Sequence, residues 1–501
     1  MGEIRNVLLV TVDCLRADRF REGVESGFCP TFAELKEAGT TFESTFTVSN
    51  TTDPSLTSFM TGQYPLDHGV VENGWGLDGD EPVAAERFRA ASFDTFGVVS
   101  VDHLAHEHSR LGRGFDRYVD GGSRYDALYP ILSRIYDTKT FNTVFGAVKN
   151  VGPGRYTVKN LLRGLGLIQL HCRTARSVTA DAIGRLEGVS EPFFGWVHYF
   201  DVHEPRNAPG EFLEGHDEYT AAMMHVDRQV GELLATLEDR QLREDTLVVL
   251  TGDHGEALGD HGYTGHGRTL YDEELHVPLV FAHDALPRET VDAQVRTIDI
   301  LPTLLELVGA DGLDADGTPL FDGGPVRADR PVYAMAYPTF GDRVGLRTGG
   351  WKLVRDRAGN DEALFDLSAD PEERRNLLED SAAGADDVDP DDIEGRREAL
   401  SSDLGGGCRA SRRPNARRST PKPRRCSRTS DTASESVHRT RVILPAVTVR
   451  NLGAVKRLFI ERRLSNVSNQ FSRNYGRQYS DYCTSFRYRP RECVRTGTQV
   501  Q

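Results

Sequence analysis

The chain has few cysteines and no long apolar segment, and each absence excludes a class of protein. No run of residues approaches the ~20 consecutive apolar residues that a membrane-spanning helix needs, so we expect no membrane span. The first residues, MGEIRNVLLVTVD, lack the basic segment, apolar stretch and cleavage site of an export signal, which predicts a cytoplasmic protein. Before residue 401 only Cys14, Cys29 and Cys172 occur, without CxxC spacing, which excludes a disulfide framework and a zinc knuckle.

The composition is that of a large globular protein with an uneven distribution of charge. The chain has 501 residues, of which 38% are hydrophobic and 27% are charged. The first 400 residues hold 70 Asp and Glu against 38 Lys and Arg, whereas the last 101 hold 6 against 22. Such an acidic body repels nucleic acid and is common in proteins from very salty cytoplasm, where salt screens the self-repulsion. We therefore expect no nucleic-acid partner and hypothesise a halophilic source.

Residues 401–501 have a different character from the rest of the chain. They are rich in Arg, Ser and Thr and have little helical or strand periodicity, which predicts a basic tail of low order. Three interpretations are open: a disordered tail, a basic arm that binds nucleic acid or another acidic surface, and a shifted reading frame that replaced a native C-terminus. Loss of binding on deletion of residues 401–501 would support the second interpretation, and a frame change in the coding DNA would support the third.

Residues 1–325 alternate short apolar runs with helical patterns, which predicts an α/β domain with a mostly parallel sheet. The runs NVLLVTV at residues 6–12 and LVVLT at residues 247–251 are too short for typical helices and indicate strands buried on both faces. Residues 326–380 change to short strands with turns and predict a small antiparallel subdomain. Residues 381–400 are acidic and predict a linker.

Acidic side chains follow two of the predicted strands at the point where each strand ends. Asp13 comes directly after NVLLVTV, and Asp253 and His254 follow LVVLTG. Ligands of open parallel sheets bind outside the carboxyl ends of the strands, so these side chains are expected to converge on one crevice. A single acid in this position usually caps a helix, but two, with a histidine, indicate a divalent cation. Carboxylates favour calcium, magnesium or manganese, and imidazole shifts the preference toward manganese or zinc.

Four segments of the chain resemble, in order, the signature blocks of the sulfatase family within the alkaline phosphatase superfamily. They are NVLLVTVDCLRADRF, TTDPSLTSFMTGQYPLDHGV, FFGWVHYFDVHEP and TLVVLTGDHGEALGDHGYTGHGRTLYDEELHVPLV, and ALFDLSADPEERRNL resembles the usual ending of the family. The resemblance implies an alkaline-phosphatase-like sheet sandwiched by helices and the metal-dependent hydrolysis of sulfuric esters. It also implies one cation, calcium by family, held by Asp13, Asp253 and His254. Where the family often has a second acid this chain has Cys14, which we expect to be a small buried residue.

The nucleophile block departs from the formylglycine pattern CxPSR or SxPSR. The matching residues are Thr52, Asp53, Pro54, Ser55 and Leu56, and threonine cannot be oxidised to the formylglycine aldehyde, so none is expected. Relatives with TxPS resemble the phosphodiesterases and phosphoglycerol transferases of the superfamily, which implies that Thr52 is both a metal ligand and the attacking nucleophile. The alternative is that Thr51 and Thr52 only cap a helix that begins near Pro54.

The same resemblance assigns roles to several basic side chains. His203, in DVHEP, matches the histidine that assists the leaving oxygen. His266 lies near the position of a substrate-binding lysine of many sulfatases, where related phosphotransferases have histidines, and it is expected to be catalytic together with Thr52 and His203. His103 is a substrate-binding candidate, and Arg268 is another, with a surface role as its alternative. His198 is interpreted as a satisfied core histidine.

Two other functions compete with a sulfuric ester hydrolase. Direct attack by a threonine favours a phosphodiesterase or a phosphoglycerol-transferase-like enzyme, because a stable ester intermediate is typical of phosphoryl chemistry. Cys14 and Leu56 instead favour a degenerate protein that binds an anionic glycan without catalysis. The substrate is expected to be a small-molecule or glycan ester of sulfate or phosphate. The sequence does not indicate which one, or the oligomeric state.

Overall fold

The computed structural model describes residues 3–120, 172–337, 342–383 and 389–410, and these ranges contain fifteen strands. The strands are β1 (Asn6–Val12), β2 (Gly39–Phe46), β3 (Asp94–Val99), β4 (Arg117–Val119), β5 (Phe193–Tyr199), β6 (Thr246–Gly252), β7 (Ala257–Leu258), β8 (Thr264–Gly265), β9 (His276–Ala282), β10 (Glu289–Val291), β11 (Val295–Arg296), β12 (Val332–Met335), β13 (Arg343–Thr348), β14 (Trp351–Asp356) and β15 (Glu362–Asp366).

Helices separate and follow these strands in the described ranges. They are α1 (Ala17–Glu25), α2 (Pro30–Glu37), α3 (Thr52–Thr61), α4 (Pro65–His68), α5 (Ala84–Ala90), α6 (His106–Ser109), α7 (Ala175–Leu186), α8 (Glu218–Asp239), α9 (Asp272–Leu275), α10 (Ile300–Leu307), α11 (Leu377–Ala383) and α12 (Pro390–Ala410). None of them combines the length and the apolar character that crossing a membrane requires.

Nine strands form one central sheet in the order β10-β2-β9-β6-β1-β5-β3-β4, with β11 also paired to β2. The neighbours β6, β1, β5 and β3 are all parallel, and β9 is antiparallel to both β2 and β6. Among the described strands of this sheet, β9 alone therefore runs in the opposite direction. Four adjacent central strands thus deliver their carboxyl ends to the same edge.

Apolar side chains of the central strands alternate between two helical layers. Val7 and Leu9 of β1 pack into one apolar cluster with side chains of α3, α5 and α10, whereas Leu8 and Val10 pack into a second cluster with side chains of α1, α2, α7 and α8. Since each fully buried aliphatic side chain contributes about 1.5–3 kcal/mol, a strand covered on both faces must be apolar at successive positions. This explains the uninterrupted run NVLLVTV.

A second sheet follows the central one in the chain. The strands β12, β13, β14 and β15 form an antiparallel meander. Its apolar cluster includes Leu353 and Leu364 of the sheet together with Ile393, Leu400 and Leu404 of α12. Part of the acidic segment predicted as a linker is thus helical and packs on this sheet.

The predicted fold class is confirmed, with a mostly parallel central sheet between helices and a small antiparallel sheet after it. The proposed domain boundaries at residues 325, 380 and 400 stay predictions. Of the predicted basic tail, residues 401–410 are the end of α12, and residues 411–501 lie outside the described ranges.

Candidate active site

The register of the central strands brings Asp13 and Asp253 to one level at the edge of the sheet. Val12, the last residue of β1, pairs with Gly252 of β6 and with Tyr199 of β5. The next residues are therefore neighbours: the backbone N–H of Asp253 donates to the carbonyl of Val12 at 3.3 Å. Both carboxylates and His254 are fully buried. The structure thus brings together the acids that the sequence placed at two strand ends.

Close backbone packing fixes the turn that carries Asp253 and His254. The N–H of Gly255 donates to the carbonyl of Glu274 at 2.9 Å. A Cβ at Gly255 would lie 2.1 Å from the carbonyl oxygen of Glu273, so only glycine fits there. The Nδ1 of His254 donates to the carbonyl of Gly255 at 2.9 Å, which leaves the lone pair of its Nε2 facing the site.

Thr52 lies between these groups, at the first residue of α3. Its Oγ1 is 3.3 Å from Oδ2 of Asp13 and 3.2 Å from Nε2 of His254. The capping alternative has no support in the geometry, because the N-cap residue Thr51 makes no side-chain capping hydrogen bond and the Thr52 hydroxyl points to side chains. The positive end of the α3 dipole is also beside the hydroxyl, which favours negative charge at that point.

Buried polar atoms without a hydrogen-bond partner mark a position suited to a cation. Among the described residues, Oδ1 of Asp13, Oδ2 of Asp253 and Nε2 of His198 are buried and accept or donate no hydrogen bond. Ligand atoms of these three residues lie within 4.8 Å of one another. Since unpaired buried polar atoms are costly, this set of carboxylate oxygens and an imidazole nitrogen fits a divalent cation.

The two carboxylates differ in their affinity for protons. Burial and the neighbouring Asp13 raise the pKa of Asp253 well above its ordinary value. Burial alone would also raise the pKa of Asp13, but the imidazoles of His203, His198 and His254 lower it below its usual range. A cation at this point would favour the charged form of both carboxylates.

His203 and His266 form a pair at the side of the site. Their Nε2 atoms are 3.0 Å apart, and Nδ1 of His266 lies 3.1 Å from the carbonyl oxygen of Asn50, to which it donates. Burial and the nearby rings of His254 and His203 lower the pKa of His266 well below its ordinary value, so its ring is neutral. The Nε2 of His266 is therefore the acceptor, and the proton between the rings belongs to His203.

His103 reaches the site through a carboxylate that the sequence did not single out. Its Nδ1 lies 2.6 Å from Oδ1 of Asp53, which is buried. Burial lowers the pKa of His103, but the Asp53 carboxylate raises it to about 8. The His103 side chain keeps 29% of its surface exposed, so a cationic imidazole bound to the residue that follows Thr52 is presented to solvent. The only feature of the sequence that could have indicated a role for Asp53 is its position directly after Thr52.

Arg268 and Cys14, the other residues discussed from the sequence, differ in their distance from the proposed cation position. Arg268 is two residues from His266 and exposed, and its guanidinium makes no hydrogen bond or ion pair with the described residues. Cys14 is fully buried, and its Sγ lies 3.9 Å from Nδ1 of His254. Burial and the carboxylates of Glu256, Asp13 and Asp253 raise the pKa of this thiol.

His198 is a site residue that its interpretation as a satisfied core histidine missed. Its Nδ1 lies 2.9 Å from the hydroxyl of Thr11, but its Nε2 points toward Asp13 and lies 3.8 Å from Oδ2. The signal was available in the position of His198, since it is near the end of β5, where it pairs with Thr11 of β1. Sequence periodicity alone does not indicate which strands are neighbours.

Comparisons with known proteins give the family and the fold of the chain. A family model described as Sulfatase matches residues 5–310. The sulfatase YidJ of Escherichia coli K12 is 33% identical over 243 residues, which are 38% of this chain and 48% of that protein, so the match spans about half of that relative. The choline-sulfatase of Rhizobium meliloti is 25% identical over 439 residues, 75% of this chain and 82% of that protein. In fold, the phosphonate monoester hydrolase of Agrobacterium radiobacter is similar with a TM-score of 0.62 at 20% identity, covering 81% of this chain and 96% of the other.

Proposed function

Since the chain belongs to the sulfatase family and is an ester hydrolase, we propose that it cleaves sulfuric esters by direct attack of the Thr52 hydroxyl on the sulfur. Asp13, Asp253 and His254, together with the Thr52 oxygen, are proposed to hold one divalent cation. The observation that carries the proposal is the position of Thr52 Oγ1, within 3.3 Å of Asp13 and 3.2 Å of His254. A cation bound there supplies positive charge that stabilises the transferred group and lowers the pKa of a hydroxyl beside it.

The chain's own residues account for the other parts of an in-line displacement. The Thr52 hydroxyl loses its proton through its hydrogen bond to Oδ2 of Asp13 and on to solvent. Its oxygen forms a bond to the central atom of the ester, the bond to the leaving oxygen breaks, and a covalent threonine ester results. His203, which carries a proton on Nε2 toward His266, is proposed to give that proton to the leaving oxygen. The neutral His266 then has the role of orienting His203, because its other nitrogen is fixed by Asn50. Water releases the ester in the second step.

The oxygens of the substrate need positive partners outside the cation site. His103 is proposed to bind them, because Asp53 keeps its imidazole cationic near neutral pH. Arg268 is proposed as a further contact, and its exposed position leaves it available to a substrate that enters from solvent.

A phosphoric ester is a second candidate, and the identity of the nucleophile favours it. Thr52 cannot become formylglycine, and an unmodified hydroxyl that forms a stable ester is typical of phosphodiesterases and phosphoglycerol transferases. The remaining alternative is a non-catalytic binder of anionic glycans, supported by Cys14 and Leu56 in place of the family's acid and arginine. The paired histidines and the buried Thr52 support catalysis against it.

Replacing Thr52 tests the proposal with its neighbour as the control. Thr52→Ala in the cation-loaded protein is expected to lower kcat by at least about a thousandfold. Thr51→Ala removes an equally buried hydroxyl that makes no capping bond, and we expect near-normal activity. Turnover of an aryl sulfate and an aryl phosphate, each followed by acid quenching and mass analysis of the Thr52 peptide, identifies which group is transferred. Full activity of Thr52→Ala would exclude this nucleophile. With the cation bound, absence of turnover of both esters would favour the binder.

Several finer assignments stay predictions beside this proposal. The resemblance implies calcium, while magnesium, manganese and zinc also suit the ligand types. A small-molecule or glycan substrate, a cytoplasmic location and a halophilic source are predictions from the sequence. Metal analysis of the purified protein tests the identity of the cation, and a substrate screen tests the class of substrate.

A further inference from the structure

Cys14 has a backbone conformation that residues with side chains rarely adopt. Its φ angle is 61°, in the left-handed region, where a Cβ crowds the following carbonyl. Contacts on both sides impose this conformation: the N–H of Cys14 donates to Oδ1 of Asp253 at 3.2 Å, and its carbonyl accepts from the hydroxyl of Tyr219 at 2.6 Å. Strain of this kind persists where the surroundings enforce it, and it is common at functional sites.

The surroundings of the thiol are polar, which distinguishes Cys14 from a cysteine that fills space. Cys29 is equally buried and packs in the apolar cluster on one face of the sheet. Cys14 belongs to none of the apolar clusters that the described residues form. Two groups of metal-ligating side chains include it instead, one with Asp13 and His254 and one with His203 and His266, each with ligand atoms within 4.8 Å.

We propose that the Cys14 thiolate is a ligand of the cation held by Asp13, Asp253 and His254, and that it makes the centre prefer zinc to calcium. The inference rests on the cation site of the proposed function. Calcium is a hard cation that takes six to eight oxygen ligands, whereas zinc takes fewer ligands and accepts sulfur and nitrogen. A thiolate among imidazoles and carboxylates is a ligand set of the second kind. A bound cation displaces the thiol proton, since only the thiolate coordinates.

Cobalt(II) as a spectroscopic substitute for zinc tests the ligation directly. The metal-free full chain is titrated with cobalt, and a near-ultraviolet thiolate-to-cobalt charge-transfer band is expected in the difference between wild type and Cys14→Ser. This difference removes any contribution of the other cysteines. Cys29→Ser is the matched control and is expected to keep the band. A wild-type spectrum identical to that of Cys14→Ser, with one cobalt bound to each, would overturn the proposal.

Competition between zinc and calcium tests the preference. In Cys14→Asp, which supplies an oxygen in place of sulfur, the ratio of zinc to calcium affinity is expected to fall by at least about tenfold. An unchanged ratio would overturn the proposed preference. Near-ultraviolet circular dichroism of each variant verifies folding, and Cys14→Ser is a second substitution in case the aspartate is not accommodated.

The outcome separates this inference from the proposed function. In one outcome, cation uptake is lost in Asp253→Asn and activity depends on Thr52, but no thiolate band is seen. That outcome would overturn the role of Cys14 and leave the proposed hydrolase function standing. A thiolate band in a protein whose Thr52→Ala variant remains fully active would support the ligand and overturn the nucleophile.

Discussion

Nδ1 of His103 lies 2.6 Å from Oδ1 of Asp53, the residue that directly follows the proposed nucleophile. Asp53 is buried, and its other oxygen accepts from the N–H of Gly74 at 2.5 Å. The backbone N–H of Asp53 donates to the side-chain oxygen of Asn73 at 3.0 Å. One carboxylate therefore connects the start of α3, the segment around Gly74 and His103. Its charge determines whether the imidazole beside Thr52 is a cation.

Asp53→Asn is expected to weaken the binding of an anionic substrate by about tenfold or more, with the larger effect on KM. The pKa of His103 is raised to about 8 by Asp53, so wild-type His103 is charged below pH 8 and loses its charge as the pH rises through that value. Without the carboxylate the pKa falls toward the ordinary ~6.5, so the alkaline limb of the kcat/KM profile moves to lower pH. The measurement is this profile for both proteins.

Asp78→Asn is the control for this prediction, because Asp78 is an exposed acid of the same region. It is expected to leave the profile unchanged. An alkaline limb of Asp53→Asn that coincides with that of the wild type would contradict the role of the pair. The raised pKa of His103 also makes the stability of the fold depend on pH. Its contribution to the free energy of unfolding is fully present below about pH 6.5 and is lost as the pH rises through about 8.

His203→Gln is expected to slow the cleavage of esters in proportion to how poor the leaving group is. A general acid contributes about 10²- to 10⁴-fold where the leaving oxygen needs a proton, and much less where it departs as a stable anion. The measurement compares kcat for an alkyl ester and a nitrophenyl ester. His108→Gln, at an exposed position of α6, is the control. Equal losses for both esters would indicate that His203 positions the substrate and does not donate the proton.

The strands that carry Asp13 and Asp253 were predictable from the sequence because both faces of each strand are buried. NVLLVTV and LVVLTG have no polar alternation, which indicates central parallel strands, and such strands end at a common edge. Asp13 and Asp253 could therefore be paired across 240 residues. The antiparallel direction of β9 could not be predicted, since HVPLVFA is a short, largely apolar run like those of the mutually parallel strands β1 and β6.

Side chains that depend on local backbone geometry were harder to place. Nothing in the sequence indicates that Cys14 has a positive φ, because the hydrogen bonds that impose it come from Asp253 and Tyr219, more than 200 residues away. His198 was missed for a related reason. Its position in a buried strand is typical of a core residue, and only the pairing of β5 with β1 places it beside Asp13.

Removal of the cation is expected to lower the stability of the wild type and to leave Asp253→Asn unaffected. Oδ1 of Asp253 accepts from the N–H groups of Cys14 and His254, and an asparagine oxygen retains both bonds. Oδ2 accepts no hydrogen bond from the described residues, so the substitution removes charge without breaking a hydrogen bond. Cation at 100 times its Kd adds about 2.7 kcal/mol to the free energy of unfolding of a protein that binds it only when folded.

Thermal unfolding with and without a chelator measures this effect. The Tm of the wild type is expected to rise with cation concentration, and that of Asp253→Asn to stay constant at a value no lower than that of the metal-free wild type. Asp245→Asn is the control, because Asp245 precedes β6 at the opposite edge of the sheet and its carboxylate pairs with exposed Arg5 at 3.5 Å. An equal rise of Tm in Asp253→Asn would exclude this carboxylate as a ligand.

Lys352 offers a test of how the second sheet is joined to the rest of the described chain. Its Nζ is buried in β14, 2.8 Å from Oδ1 of Asp272 in α9 and 2.7 Å from Oε1 of Glu373. Lys352→Met leaves the buried Glu373 carboxylate without a cation and leaves the half-buried Asp272 with Arg347 alone, and we expect a loss of about 3 kcal/mol in the free energy of unfolding at pH 8. Lys36→Met is the control, since the pair of Lys36 with Glu43 is partly exposed and is worth at most about 1 kcal/mol.

The loss in Lys352→Met is expected to shrink as the pH falls. Burial raises the pKa of Glu373 to about 7, with Lys352 lowering it and Asp272 raising it, so Glu373 is protonated in the folded state at pH values where it is charged in the unfolded chain. Its contribution to stability is therefore present below about pH 4.5 and lost as the pH rises through about 7. Without Lys352 the pKa of Glu373 rises further, and protonation removes the buried charge that has lost its partner. Urea unfolding at pH 5.5 and pH 8 measures the difference, and a loss that is equal at both values would show that packing of the lysine stem, and not its charge, stabilises the contact.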